Sequence, residues 1–300
     1  MPNRKRKAIM QQILLQVFLL CVTATVLFPI MWIFSLALDP RNIGQPLELR
    51  LIPPGASLQA FDKVLLQPFE LLCKDPSNLS SCMTFGTLLK NSLIVALGTS
   101  LVAVILGSSA AYAFSRFRFI GRQIGMIGFI VLLMLPTTAT LAPLYVLLNQ
   151  VKIGSEPLRA TLIGLMVAYG SSTLPFAIWN LKGYFDTVPK ELEEAALIDG
   201  CNVTSAFFRI ILPLSVPALA VTVLFSFMTG WTEFVLAWTF LENPSRFTLA
   251  MALRSMQGQF STPWSEFAAM SILMSVPIVI LFFLLQRYLI GGLTVGGVKG

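Results

Sequence analysis

Six long apolar runs, separated by polar stretches, set the pattern of this chain. They cover residues 13–38, 88–114, 124–148, 160–181, 211–238 and 266–289. A helix needs ~20 residues to cross the hydrocarbon of a bilayer, and each run reaches that length. In lipid a segment must satisfy its own backbone polar groups, which a helix does. The pattern predicts an all-α polytopic membrane protein with six transmembrane helices forming one domain, 13–289. Tails 1–12 and 290–300 then share one side with loop 182–210, and the loops 39–87 and 239–264 lie on the other.

The first run follows Arg4, Lys5, Arg6 and Lys7, much as a secretory signal would. It is too long for a signal core and no small-x-small cleavage site follows it, so it reads as an uncleaved span. Gly98, Gly107, Ser108, Ser109, Ala110 and Ala111 give the second run a surface on which helices can approach closely. Pro136, Pro143, Pro175, Pro213, Pro217 and Pro277 fall within the later runs or at their ends. Backbone groups freed by proline at membrane depth need cover from protein or a water-filled cavity. That suits spans that rock about a central path, and equally suits irregular packing.

Composition agrees with a membrane protein. Charged residues are 12% of the chain and hydrophobic residues 56%, whereas soluble domains are about 25% charged. The net charge of +7 lies on one side. Twelve of the 21 Lys and Arg, and five of the 14 Asp and Glu, fall with the termini and loop 182–210; the remainder cancel. The positive-inside rule places that side in the cytoplasm. The basic balance therefore reports topology, and nucleic acid is not expected as a partner.

The absence of histidine excludes histidine acid–base and metal chemistry. The four cysteines are not spaced as metal ligands. Cys21 and Cys201 read as free thiols. Cys73 and Cys82 share one polar loop, and either close a disulfide in an oxidising compartment or stay reduced. Glu233 is the one acid expected at membrane depth, near the outer end of the fifth run. It reads as an interfacial carboxylate beside Trp231 and Trp238 or as a cavity group. One edge carboxylate without histidine makes a poor proton relay, so an ion-coupled secondary carrier, the alternative reading, lacks its usual equipment. No G-x-x-x-x-G-K-[ST] occurs. ATP and magnesium, if used, belong to a separate subunit; no cofactor or metal is expected in this chain, and no catalytic residue.

The polar stretch V-P-K-E-L-E-E-A-A-L-I-D-G-C-N-V-T-S-A-F-F-R-I-I-L-P, residues 188–213, reads as two short helices broken at Gly200. Pro189 suits a first helical turn. Glu191, Glu193 and Glu194 suit a helix N-terminus, with Leu192, Ala195 and Ala196 as a small apolar face. Gly200 reads as a left-handed stop, and Asn202 or Thr204 as the next cap. Such a helix either rests on lipid headgroups or docks a cytoplasmic partner; its three glutamates argue against headgroups.

Glu194-Ala195-Ala196, three residues, Gly200, nine residues, then Ile210-x-Leu212-Pro213 resembles the EAA loop of permease subunits of bacterial ATP-binding-cassette importers. Asn91-Ser-Leu-Ile-Val-Ala, Ala110-Ala-Tyr-Ala-Phe-Ser-Arg-Phe-Arg-Phe and Gly292-Leu-Thr-Val-Gly-Gly-Val-Lys-Gly300 are similar to sugar permeases of the maltose type, nearest the second permease of the pair. Asn91 with Ser92, and Tyr112 with Arg116 and Arg118, read as gating or structural groups.

The resemblance implies the ABC-importer permease fold in a bacterial inner membrane. It implies a dimeric ABC ATPase, a second homologous permease and an external solute-binding protein as partners, with a sugar or oligosaccharide as solute. Loop 182–210 would carry the coupling helix, with Glu194, Ala195, Ala196, Gly200, Ile210, Leu212 and Pro213 as its coupling residues. Gln257, Gly258, Gln259 and Phe260 would reach the binding protein. Gly292, Gly296, Gly297 and Lys299 would reach the interface of the two ATPase subunits, in a tail that otherwise reads as a disordered end.

Overall fold

The computed structural model describes residues 2–43, 50–73, 82–258 and 262–295. The chain forms two compact units, Met1–Gln67 with Ser255–Ser275, and Pro68–Arg254 with Val276–Gly300.

In the first unit, α1 (Pro2–Ala37) is a long apolar helix, and α2 (Gln59–Leu66) is a short helix of the 39–87 loop. The start of α13 (Trp264–Val295) completes it. Ser265 ties that start to the end of α1: its hydroxyl donates to the Asp39 carbonyl oxygen at 2.6 Å, and its N–H to Asn42 Oδ1 at 2.9 Å. Lys63 pairs with Glu266 at 2.9 Å. Arg41 holds Asp39 through two side-chain bonds, of 2.9 and 2.7 Å. These bonds hold the Asp39 carboxyl below the ordinary carboxylate value.

The second unit begins with β1 (Phe69–Cys73) antiparallel to β2 (Cys82–Met83), joined by a Cys73–Cys82 disulfide. Next come α3 (Phe85–Arg116), α4 (Arg122–Met134) and α5 (Leu141–Gln150). The polar stretch after the third run forms a hairpin, β3 (Lys152–Ile153) with β4 (Glu156–Pro157). Then follow α6 (Leu162–Phe185), α7 (Glu191–Ile198), α8 (Val203–Ala206), α9 (Leu212–Leu214), α10 (Val216–Thr232), α11 (Val235–Phe240) and α12 (Leu249–Ser255).

The core of this unit is α3 against α6 and α10. Small residues set the approach: a Cβ on Gly107 would lie 2.9 Å from the Ala177 Cβ. One end is filled by Leu165, Tyr169, Phe240, Met251 and their neighbours, the other by Tyr112, Leu181, Phe185, Phe207 and Ile211.

Among the described residues four single helices are long and apolar enough to cross a membrane: Met10–Ala37, Phe85–Arg116, Leu162–Phe185 and Trp264–Leu289. The third and fifth runs, where proline was expected to interrupt the backbone bonding, are bent pairs of helices; counting each bent pair as one span gives six. The third is α4 and α5, bent by 103°. Leu135 precedes a proline and is extended (ψ 133°), because the proline ring bars it from the α region. The fifth bends by 78° between Val203–Leu214 and Val216–Thr232. Pro213 and Pro217, which lack N–H groups, flank the bend at Ser215.

The fifth run also stops early, at Thr232. Glu233 is extended, and its carboxylate accepts the N–H groups of Val235 at 2.8 Å and Leu236 at 3.2 Å. It thereby caps the first turn of α11, a local role that the sequence reading did not include. Trp231 is fully buried and stacks on Phe227, so only Trp238, half-exposed, keeps the interfacial reading.

Candidate functional site

The loop between α6 and α10 is assembled from several local signals. Lys190 stands at the N-cap of α7 without a side-chain cap bond, and the carboxylates of Glu191, Glu193 and Glu194 crowd its first turn, where the dipole favours them. Pro189 lies before this helix and not inside its first turn. At the other end the Cys201 N–H bonds to the Ala196 carbonyl at 2.9 Å, and the Gly200 N–H to that of Leu197 at 3.1 Å. That is a Schellman closure, and it requires the left-handed φ of +89° at Gly200. Asn202 Oδ1 then accepts the Ser205 N–H at 2.7 Å and caps α8; Thr204 does not. The chain continues as a π-helix, Phe207–Ile211, into α9. Such a segment is rare and is frequent at functional sites.

Apart from Gly200 itself and its two chain neighbours, no atom lies within 4 Å of the place its Cβ would take, so a side chain there is opposed by backbone strain alone. We expect Gly200→Ala to lose roughly 1–2 kcal/mol and Gly200→Asn distinctly less, since asparagine tolerates this conformation. Thermal unfolding of the purified protein checks the order; an alanine variant as stable as the parent would contradict it.

The inner face of α7 is held by α3. Arg116 Nε forms an ion pair with Glu193 Oε1, and the two side chains are 8% and 10% exposed. The Tyr112 hydroxyl donates to Glu193 Oε2 at 2.8 Å, and Arg116 Nη2 to the Val188 carbonyl at 3.0 Å. Beside this, the Ser115 hydroxyl donates to Asp186 Oδ1 at 2.6 Å, and Lys182 pairs with Asp186 Oδ2. Burial alone would raise the Asp186 carboxyl. The Lys182 and Ser115 hydrogen bonds, with the charges of Lys182 and Arg122, outweigh it and hold the group below its ordinary value. The end of α3 thus grips the loop at Asp186, Val188 and Glu193. Arg118, the third residue of the expected cluster, is exposed beside this grip.

This grip decides which face of α7 points outward. Glu193 and Ala196 are buried, one turn apart; Glu194, Ala195 and Leu192 are exposed, and Ile198 is 86% exposed. The apolar face expected from Leu192, Ala195 and Ala196 is therefore split: Ala196 packs inward and Ile198 joins the outer surface. Ile210, within the π-helix, and Leu212, just beyond it, are half-buried, and Pro213 is exposed. Ile211, between them, is wholly buried in the cluster with Tyr112, Phe185 and Phe207.

The other candidate residues lie apart from this site. Asn91 Nδ2 donates to the carbonyls of Ser245 and Phe247, both at 2.9 Å, and Ser92 Oγ accepts the Leu249 N–H at 2.8 Å. The pair pins the backbone that enters α12. Gln257 and Gly258 are exposed, whereas Gln259 and Phe260 lie outside the described residues. Gly292 is within the helical backbone of α13, and Gly296, Gly297 and Lys299 lie outside the described residues. Cys21 and Cys201 are free.

A family model described as binding-protein-dependent transport system inner membrane component matches residues 103–295, which include the whole loop. Over 282 residues the chain is 33% identical to the maltose/maltodextrin transport system permease protein MalG of Yersinia pestis, covering 94% of this chain and 91% of that protein. Over 214 residues it is 40% identical to the maltodextrin transport system permease protein MdxG of Bacillus subtilis, covering 70% and 74%. Over 284 residues it is 32% identical to the diacetylchitobiose uptake system permease protein DasC of Streptomyces coelicolor, covering 93% and 96%. In fold it is similar to a chain of a bacterial ABC transporter involved in import of the acidic polysaccharide alginate. The TM-score is 0.73 at 20% identity, over 93% of this chain and 96% of that one.

Proposed function

Because this chain belongs to the family of binding-protein-dependent transport system inner membrane components, we propose that it forms, with a second homologous permease, the path of an ATP-driven sugar importer. A dimeric ABC ATPase supplies the energy from the cytoplasm, where ATP and magnesium are bound, and this chain is not itself an enzyme. An external solute-binding protein delivers the solute, a sugar or oligosaccharide, as the named substrates of the relatives suggest. Both termini lie in the cytoplasm, in keeping with the positive-inside charge distribution.

The observation that carries this reading is the two-sided α7. Its inner face is fixed to α3 through Glu193, and its outer face presents Glu194, Ala195 and Ile198. A short helix held rigidly on one side and bare on the other is suited to pass a push from a docked subunit into the spans. Closure of the ATPase pair then moves α7, and α7 moves α3 and, across the 78° bend, α10. Gly200 closes the helix, and Ile210, Leu212 and Pro213 join it to α10. The segment containing Gln257, Gly258, Gln259 and Phe260 meets the binding protein. The tail with Gly292, Gly296, Gly297 and Lys299 enters the ATPase interface. The external side is oxidising, in keeping with the Cys73–Cys82 disulfide.

Co-purification of the tagged chain from its own membrane in mild detergent tests this. We expect an intact-complex mass that contains two ATPase subunits and one second permease. A chain recovered alone, or only with copies of itself, would overturn the proposal.

A further inference from the structure

We propose that the mouth formed by the end of α3, the start of α4 and the adjoining turn of α6 binds the headgroup of an anionic phospholipid. A cavity of about 720 Å³ opens there, and Arg118, Arg122 and Lys182 line it together with Phe119, Gln123 and Ile124. None of its lining residues is acidic. Lys182 is paired with Asp186, and Arg122 reaches the Ser115 carbonyl at 3.5 Å. Among the described residues no carboxylate forms a direct ion pair with Arg118 or Arg122, and Asp186, which feels the charge of Arg122, is bonded instead to Lys182 and Ser115. A cleft walled by charges of one sign focuses its field and gathers counter-ions. α4 begins at the same place, and its N-cap Gly121 (φ 88°) brings no side chain to cap the first turn, so the positive end of the helix dipole adds to the field.

The surroundings select a lipid over free phosphate. α4 buries none of its residues, and Ile124, Ile127, Ile130 and Val131 lie exposed along it, in line with the basic mouth. A second cavity, of about 430 Å³, shares Met126 and Lys182 with the first and is lined by Trp179 and Tyr184. These aromatic types favour the interface between headgroups and hydrocarbon. A charged mouth continuous with an apolar helix face and an aromatic rim matches a phosphodiester joined to acyl chains. Inorganic phosphate would use the mouth alone. Basic pockets between spans on the cytoplasmic side are sites of this kind. The placement rests on the orientation proposed above. Through Lys182 and Asp186 a bound headgroup lies next to the grip on α7.

The test uses the whole complex, with partners verified by mass, in nanodiscs of phosphatidylcholine titrated with fluorescent phosphatidylglycerol. We expect saturable binding. Arg118→Gln together with Arg122→Gln should weaken it roughly thirty-fold, and Arg118→Gln alone, an exposed side chain, about fivefold, with the partners retained. Unlabelled phosphatidylglycerol should displace the probe, and inorganic phosphate should not. Unchanged lipid binding in both variants would overturn the proposal. So would displacement by phosphate as effective as by lipid, which would mark a free-anion site. Loss of the ATPase from the variants with lipid binding intact would mark a protein contact and overturn it equally.

Discussion

Arg116→Leu is expected to abolish uptake and to destabilise the chain by about 3–5 kcal/mol, the cost of removing one partner from a buried ion pair. The Glu193 carboxylate, one-tenth exposed, would keep only the Tyr112 hydroxyl, and the Val188 carbonyl would lose its donor. The loss falls on the attachment of α7 to α3, so uptake fails even where the spans still insert. A double-mutant cycle separates this from general damage. Arg116→Leu with Glu193→Leu removes both charges, and replacing both members of a buried pair by apolar groups is often nearly neutral. We expect the double variant to regain most of the lost stability, giving a coupling energy of about 2–3 kcal/mol. Thermal unfolding in detergent and uptake in cells read the two effects. A single variant as stable as the parent would show that the pair does not hold the loop.

Glu194→Lys and Ile198→Asp have the opposite signature. Both side chains are exposed on α7, and Ile198 is among the most exposed apolar side chains of the chain. Their replacement leaves insertion and folding close to those of the parent, as substitutions away from packed or paired groups usually do. If α7 docks on the ATPase as proposed, what they change is the surface offered to it. A charge placed in the centre of an apolar contact, or reversed there, costs at least about 2 kcal/mol at a hot spot, or roughly thirty-fold in affinity. We expect uptake to fall at least tenfold and the ATPase to be lost on purification, while the second permease remains bound. Glu193 and Glu194 are adjacent glutamates. We expect the first to act on stability and the second on assembly, and a variant pair in which both act alike would refute the two-sided reading of α7.

Much of this site was legible in the sequence because it rests on local chemistry. Gly200 is left-handed for a reason that four neighbouring residues supply, and Asn202 caps α8 as its type allows. Long apolar runs located the spans for the same reason: the length of hydrocarbon that must be crossed is a property of one segment. What was not legible depends on residues far apart in the chain. Which of three glutamates turns inward is decided by Arg116, 77 positions before Glu193, and no spacing within the loop reveals it. The inward turn of Ala196 follows from the same contact. Glu233 could be read as an intramembrane charge because the end of its helix was not apparent; once α10 stops at Thr232, the carboxylate is a cap. The bends at Leu135 and Ser215 were signalled by proline, but their angles are set by the packing on either side.

Photo-crosslinking in native membranes tests the outward face of α7 most directly. A photoreactive residue is placed at Ile198, and a second, as control, at buried Ala196. Docking of α7 on the ATPase predicts an adduct of this chain with one ATPase subunit from position 198 and none from position 196. Absence of that adduct at 198 while uptake persists, or capture of lipid alone, would contradict it.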